Sequence, residues 1–332
     1  MTAMTKYFLR RFVYLIVVFF LISVVIFLIY SLAPGDPVLH FMDANFAEGS
    51  DPVLWQQTYE QVRASLGLDR PLYVQYIAWM SNLLRLDFGY SMMYRRPVSM
   101  VVVDPLRNTV TLNIINLILV FIISIPLAIK SAVKRGSIFD SAVQVSTVTF
   151  DSLPTFITAL IVILIFGVWL GWFPLTGMST PGFVGTPWEV AMDRARFMVL
   201  PLMTMVIGSM AGITRYIRAA MIEILSQDYI RTARAKGAKE RYVVYRHAFR
   251  NAQIIVIQTL SGWFLGIFGG SVMIERVFLW NGMGDLMVRS VFNQDNMVVF
   301  TIIMLFTSIS LFGFFIIDIL FAICDPKIKL NE

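Results

Sequence analysis

The chain alternates long segments that carry no charged residue with shorter polar connections. Five of the uncharged segments have 19 to 22 residues and one has 17, so each can cross, or nearly cross, a hydrocarbon core of about 30 Å as an α-helix. Backbone groups in lipid must be satisfied internally, and the alternating pattern of a barrel strand is absent. The pattern therefore predicts an all-α, polytopic membrane protein with six transmembrane helices. The segments are 12–33, 110–129, 155–173, 197–213, 254–274 and 297–317.

The distribution of basic residues predicts the orientation. With the N-terminus in the cytosol, the inside segments hold 17 Lys and Arg against 8 Asp and Glu, whereas the outside segments hold 10 against 13. Both termini are then cytosolic. The loop 215–250 alone holds nine basic and three acidic residues, a surplus equal to the net charge of +6 for the whole chain. Topology explains the basic balance, which therefore gives no indication of nucleic-acid binding.

The composition offers few groups for catalysis or metal binding. Cys324 is the single cysteine, and His40 and His247 are far apart in the sequence, so we predict no internal disulfide and no metal cluster. An enzyme embedded in the membrane would need ionisable groups deep in the spans, and the six segments have none. The sequence also lacks a GxxxxGK[ST] phosphate loop, so it shows no sign of a nucleotide-binding site of that kind.

The pattern divides the chain into four regions. Residues 1–33 form an N-terminal anchor helix, because 22 apolar residues are too many for the core of a signal peptide. Residues 34–107 are an external helical cap, in which Gly67 ends one helix and Pro71 takes the first position of the next. Residues 108–323 are a five-span core with a cytosolic loop at 215–252, and residues 324–332 are a cytosolic tail.

A polar segment at 228–252, called here the insert, separates the fourth and fifth predicted spans. Asp228 is predicted to cap a short helix over 229–236, and Gly237 to adopt the left-handed conformation that ends it. A second helix is predicted from about Lys239 into the fifth span. Two interpretations stay open on the residues alone, a solvated basic loop at the lipid surface and a docking element for a partner protein. The break at Gly237 favours docking, since the charge rule does not require it.

Seven stretches, in order along the chain, resemble the permease subunits of ABC importers, in particular the dipeptide, oligopeptide and nickel branch. The general pattern of the insert in such permeases is EAA, three residues and Gly. Ala233 and Gly237 match that pattern, whereas Arg231 and Thr232 stand where Glu and Ala are usual. The stretches are APGDPV (33–38), LGLDRPLYVQY (66–76), LDFGYS (86–91), RRPV (95–98), KRGSIFD (134–140), DYIRTARAKG with RHAFRNA (228–237 and 246–252) and DPKI (325–328). One departure is Asn281, because this branch commonly has a proline there in FxWPGxG.

This resemblance implies a type I ABC importer permease fold in a bacterial inner membrane. The chain would form half of a translocation path for di- or oligopeptides, pair with a second, similar permease, and receive cargo from an external substrate-binding protein. Two cytosolic ATPase subunits would bind ATP and Mg²⁺, so this chain is expected to need no cofactor and to be no enzyme. The residues that the resemblance assigns to ATPase coupling are Asp228, Tyr229, Arg231, Thr232, Ala233, Arg234, Ala235, Lys236 and Gly237.

Two further sets of residues carry predictions within the spans. Gly262, Gly266 and Gly270 recur at every fourth position of the fifth span, and such a stripe of small residues permits close helix packing, either within the subunit or against the partner permease. Asn113, Asn116 and Asp151 are polar residues in or beside apolar segments. They are candidates to line the path, although contacts with neighbouring helices or with the membrane interface would explain them equally.

The cargo stays open at this point. Peptides lead, and nickel chelates, glutathione and oligosaccharides are alternatives within the same importer class. A different class, a secondary transporter or channel without an ATPase, would more often carry broken helices with ionisable groups near the midplane of the membrane.

Overall fold

The computed structural model describes residues 3–32, 38, 52–65, 67–253 and 266–324. The first part holds the helices α1 (Ala3–Leu32), α2 (Pro52–Ser65) and α3 (Leu72–Leu84) and a short antiparallel hairpin of β1 (Tyr90–Ser91) and β2 (Arg96–Pro97). There follow α4 (Val98–Val133), α5 (Ile138–Ser152), α6 (Thr155–Val162), a π-helical turn π1 (Ile163–Trp169) and α7 (Pro187–Leu225). The remaining elements are α8 (Asp228–Ala235), α9 (Glu240–Tyr242), π2 (Val243–Phe249), α10 (Val272–Val277), α11 (Met283–Phe292) and α12 (Asn296–Cys324).

The prediction of an all-α membrane protein is confirmed. Among the described residues, four helices are long and apolar enough to cross a membrane, at Phe8–Ile29, Val98–Val133, Pro187–Leu225 and Asn296–Ile319. The pair α5 and α6–π1 would add a fifth span if it is counted as one bent segment. Most of the predicted span at 254–274 lies outside the described residues, so the number of six spans stays a prediction.

A sharp bend stands where the third span was predicted. Helix α5 ends at Ser152, and the following helical segment, Thr155–Trp169, is inclined to it by 108°. The cause is local, because Pro154 disfavours a helical backbone at the residue before it, and Leu153 is extended with ψ 130°. The helix after the bend ends at Trp169, four residues before the uncharged segment itself does.

The chain separates into two compact units. Unit one holds residues 1–105 and 286–332, and unit two holds residues 106–285. In unit one, α1 and α12 pack together through a small apolar cluster that contains Ile26, Phe300 and Met304. An ion pair between Arg11 and Asp318 joins the other ends of the same two helices.

The hairpin of unit one is tied to the start of α12. The carboxylate of Asp295 accepts hydrogen bonds from the Ser91 hydroxyl and from the backbone N–H of Met93. Asp295 is buried, and these bonds supply the partners that a buried carboxylate needs. The two strands coincide with the stretches LDFGYS and RRPV, which were singled out by resemblance.

The described residues of unit two include two apolar clusters. The first joins residues of α4, α7, α8 and π2, and includes Val120, Ile129, Ile217, Ile230 and Val243. The second joins α4, α6, α7 and α10 around the fully buried Trp280. The first cluster is the one that positions the insert.

Two predicted helix starts are displaced by one residue. Gly67 has φ +69° just after α2, as predicted, but Pro71 flanks α3 and does not belong to it. Asp228 is the first residue of α8, and Gln227 occupies the cap position. In the part of the chain that the structure describes, no side chain caps that helix, so the predicted capping role of Asp228 is wrong.

Candidate functional site

The insert folds as two helical segments joined by a glycine corner. Helix α8 ends at Ala235, and Gly237 has φ +76°, a left-handed conformation that costs an ordinary residue energy but costs glycine little. The second segment begins at Glu240, close to the predicted start at Lys239, and its helical conformation continues through residue 253. The helix, glycine corner and second helix that the sequence predicted are therefore confirmed.

One buried side chain attaches α8 to the rest of unit two. Ile230 is 0 % exposed, and it lies in the apolar cluster with Ile217 and Met221 of α7 and Val243 and Val244 of π2. It is the buried residue of α8. The sequence analysis passed over Ile230, although an isolated branched apolar residue in a polar helix is the signal that could have identified it.

The opposite face of α8 is exposed. Of the nine residues that resemblance assigns to ATPase coupling, eight are exposed, and Ala233 is half-buried against the apolar cluster. The side chains of Asp228 and Arg231 are 95 % and 73 % exposed and form only a weak pair at 3.5 Å. The structure therefore brings these residues together on one polar surface, and it leaves most of their charged groups available to a partner.

A second ion pair braces the glycine corner. The guanidinium of Arg234 donates two hydrogen bonds to the Glu240 carboxylate, at 2.7 and 3.1 Å, across the turn at Gly237. The paired guanidinium lowers the pKa of Glu240, and the carboxylate raises the pKa of Arg234. Both side chains are about half exposed, so the pair contributes little to stability, although it links the residues on the two sides of the corner.

A buried carboxylate connects the helices that lead to the insert. Asp140, near the start of α5, accepts two hydrogen bonds of 2.7 Å from Arg218 of α7. Its oxygens also accept from the Ser131 hydroxyl of α4 and from the backbone N–H of Gly136. Fork-shaped pairing of this kind is strong and directional, so α4, α5 and α7 are held in one arrangement. Asp140 belongs to the stretch KRGSIFD, and sequence analysis gave it no role.

Unit two also contains a cavity of about 570 Å³. Its lining includes all three residues that were predicted as candidates for the path, Asn113, Asn116 and Asp151. The Asn113 amide donates to the backbone carbonyls of Ile267 and Gly269, at 2.8 and 3.1 Å. Asp151 forms an ion pair with Arg215 of α7, so its charge is compensated. Asn116 is 5 % exposed, and among the described residues its side-chain oxygen has no hydrogen-bond donor.

The glycine stripe is not realised as a helix face. Gly262 lies outside the described residues, Gly266 is the last residue in helical conformation, and Gly270 lies in the irregular segment that follows. The end of the helix leaves backbone carbonyl groups without a helical partner, and Asn113 donates hydrogen bonds to them. These bonds explain why the helix can end at this point. Gly270 does allow a close approach, because an added Cβ would stand 2.2 Å from the backbone nitrogen of Gly284.

A buried glutamate, Glu275, forms hydrogen bonds to the turn in which Gly270 packs closely against Gly284. Glu275 is 1 % exposed, and it accepts hydrogen bonds from the Thr109 hydroxyl at 2.8 Å and from the Asp285 N–H at 2.9 Å. An added Cβ at Gly282 would stand 2.4 Å from this carboxylate, so the glycine is needed for close packing. Burial raises the pKa of Glu275. The neighbouring Trp280 is fully buried, which shows that this turn keeps a packed form with Asn281 in place of the usual proline.

Comparison with known proteins decides the family. The model of the family described as "Binding-protein-dependent transport system inner membrane component" matches residues 124–330. A companion model for the N-terminal part of such membrane components matches residues 4–113. The chain belongs to this family. It is therefore the multi-pass membrane component of a binding-protein-dependent transport system, as the resemblance in the sequence implied.

Several relatives match this chain over nearly its full length. The chain is 37 % identical over 327 residues to the oligopeptide transport system permease protein AppB of Bacillus subtilis, and the match covers 98 % of this chain and 100 % of that protein. It is 35 % identical to a putative peptide permease of Brucella suis, with 99 % and 100 % covered. It is also 35 % identical to the glutathione transport system permease protein GsiC of Escherichia coli K12, with 98 % and 99 % covered.

A solved structure shares the fold. The structure described as inward-facing conformations of the MetNI methionine ABC transporter covers 66 % of this chain and 94 % of its own, with a TM-score of 0.51 and 20 % identity. This likeness supports the type I importer permease fold. Members of the family work with ATPase and substrate-binding partners, and as permeases they lack an ATPase site of their own.

Proposed function

We propose that the chain is one permease subunit of an ATP-driven importer of di- and oligopeptides. The observation that carries this proposal is the similarity, over the full length of both chains, to permeases named for oligopeptide and peptide transport. Their cargo comes to this chain by inference from that similarity.

The insert is the element that would couple the spans to the ATPase. Its exposed face carries Lys236 and Arg231, which is only weakly paired with Asp228, and both side chains can bind carboxylates of a partner. Its buried face is anchored by Ile230 in the cluster that also contains residues of α4 and α7. A displacement of α8 by the ATPase would therefore be transmitted to membrane-length helices through packed side chains rather than through a flexible loop.

The cavity of unit two is the element that would line the path. It is lined by apolar and uncharged polar side chains and by one carboxylate, Asp151, whose charge is compensated by Arg215. A surface of this kind can pass solutes of differing charge with little electrostatic selection. Asn113 has a second role, because its amide also donates to the backbone carbonyls after Gly266.

The full assembly follows from the same proposal. A second, similar permease would complete the path, two cytosolic ATPase subunits would bind ATP and Mg²⁺, and an external substrate-binding protein would deliver the peptide. The chain would lie in a bacterial inner membrane with both termini and the insert in the cytosol, as the excess of basic residues in the loop 215–250 supports.

A glutathione importer is the second candidate, since a relative at 35 % identity is named for glutathione transport. The test of both is purification of the tagged chain from its native membrane, followed by ATPase assays with added peptides and glutathione. We expect an ATPase and a second permease to copurify, and peptide with the binding protein to stimulate hydrolysis. If no ATPase copurifies with the tagged chain, the proposal is refuted. If glutathione stimulates ATP hydrolysis and other peptides do not, the second candidate is selected.

A further inference from the structure

Helix α5 depends on charged side chains for its position in unit two. Neither apolar cluster found among the described residues of unit two contains a residue of this helix. Its buried residues are Asp140, Val143 and Thr147, of which only Val143 is apolar. Ile138 and Val145, by contrast, are 91 % and 66 % exposed. Burial of apolar surface therefore contributes little to holding α5 in place.

Two arginines of α7 bind the two ends of α5. Arg218 forms the fork-shaped pair with Asp140, and Arg215 forms the ion pair with Asp151. The two aspartates are eleven residues apart, about 16 Å and three turns along an α-helix, so both lie on the same face of α5. That face also carries the buried Val143. The two pairs therefore fix both ends of α5 to one short part of α7.

The same part of α7 attaches the insert. Ile217 lies directly before Arg218 and Met221 lies three residues after it. Both belong to the apolar cluster that buries Ile230 of α8. A displacement of the insert therefore acts on the turn of α7 that also holds Asp140.

The other end of α5 forms part of the cavity wall. Phe150 and Asp151, in the last turn of the helix, both line the cavity. Helix α5 thus extends from the turn that carries the insert to the cavity that is proposed to line the path. Packed, rigid helices of this kind transmit a displacement from one site to another.

We propose that Arg218 and Arg215 are positioning residues for transport, which make the cavity wall on α5 follow the movement of the insert. Each arginine acts through the aspartate that it binds. The side chains of Arg218 and Asp140 are 18 % and 5 % exposed, so this pair is the stronger attachment. Those of Arg215 and Asp151 are 36 % and 46 % exposed, so their pair is weaker. This inference rests on the proposed function as an ATP-driven importer.

The test measures how much ATP is hydrolysed for each peptide imported, with the complete complex in proteoliposomes and the binding protein outside. The first variant is Arg218→Lys, which keeps the positive charge but cannot form the fork-shaped pair. Arg196→Lys is the matched control, because Arg196 is an exposed residue near the opposite end of the same helix.

We expect Arg218→Lys to speed hydrogen exchange in α5 about ten- to hundredfold, the effect of losing one charge-assisted hydrogen bond, and to leave exchange in α8 unchanged. The ATP hydrolysed per imported peptide should rise several-fold while the ATPase still copurifies. Arg196→Lys should match the wild type, and an equal rise in this control would overturn the inference. A wild-type ratio of ATP to peptide in Arg218→Lys would also overturn it, whether hydrolysis and uptake stay intact or fall together.

A change at the other end of α5 decides the matter if Arg218→Lys does not assemble. The double variant Asp151→Ala with Arg215→Ala removes the weaker pair without leaving an unpaired charge on the cavity wall. Because this pair is partly exposed, its loss costs little stability and the complex should form. A higher ratio of ATP to peptide supports the inference, and a wild-type ratio overturns it. Failure of the wild type to import any peptide would instead refute the proposed function, so the two failures are distinguishable.

Discussion

Replacement of Ile230 by alanine tests whether the insert is a rigid extension of the membrane helices. The change removes three carbon atoms from a side chain that is 0 % exposed, a loss of about 2.4 kcal/mol at roughly 0.8 kcal/mol for each methylene. The space that is left raises the cost to about 2 to 5 kcal/mol. Because Ile230 is the buried residue of α8, we expect this loss to fall on the attachment of α8 and to spare the helices around it.

Hydrogen exchange and transport together provide the assay. Weakening by about 2 to 5 kcal/mol should increase the exchange of the α8 amides by roughly thirty- to several-thousandfold, while exchange in α7 stays unchanged. ATP-driven uptake should fall, and ATP hydrolysis should become less dependent on cargo. The matched control is Ile138→Ala, since that isoleucine is 91 % exposed. If Ile230→Ala shows the same hydrogen exchange in α8 and the same uptake as the wild type, the insert is not a rigid extension of the membrane helices through Ile230.

Three further predictions concern turns and ion pairs. Gly237→Val should reduce uptake, and Gly237→Asn should retain most of it, because no atom lies within 4 Å of an added Cβ and the cost of about 1 to 2 kcal/mol arises from the positive φ, which asparagine tolerates. Arg234→Glu should loosen the corner, because it places two carboxylates together. The double change Arg234→Glu with Glu240→Arg should restore wild-type hydrogen exchange at the corner. Copurification of the ATPase should stay low in the double variant if Arg234 also binds the ATPase directly, and should recover if it does not. The folded state raises the pKa of Glu275 above 4.5, so the folded chain binds this proton more tightly than the unfolded chain, and the melting temperature should fall as pH rises above 4.5. The fall of the melting temperature with pH should be smaller in Glu275→Gln. A fall as steep as that of the wild type would assign the pH dependence to other groups.

The helical character and the corner of the insert could be predicted from the sequence because each depends on local chemistry. Uncharged runs of about 20 residues require helices in lipid, and a glycine after a short polar helix is favoured where φ is positive. Gly237 has that conformation at +76°. Resemblance also identified nine residues of α8 and the glycine corner as one set, and eight of them are exposed.

Other features depend on contacts between distant residues, which periodicity does not encode. The eight residues of α8 are too few to show which face is buried, so Ile230 was missed. Three glycines at intervals of four predicted one helix face, yet the helix ends at Gly266, where Asn113 from α4 binds the released carbonyls. The 108° bend after Pro154 was not predicted either, because the uncharged segment around it was interpreted as one straight span.

The buried carboxylates show the same limit. Asp140 and Glu275 each stand at the edge of an apolar run, where a sequence offers no sign of a partner. Their partners, Arg218 and Thr109, are 78 and 166 residues away. Only the folded chain brings these groups together, and both carboxylates serve to fix helices and turns in unit two.

Uptake of a labelled tripeptide by proteoliposomes tests the central claim most directly. The vesicles would contain this chain with its copurified permease and ATPase partners, and the binding protein would be added outside. We predict accumulation that requires ATP in the compartment containing the ATPase subunits and that stops when the ATPase is inactivated. Accumulation driven by an ion gradient without ATP, or by this chain without an ATPase, would contradict the account.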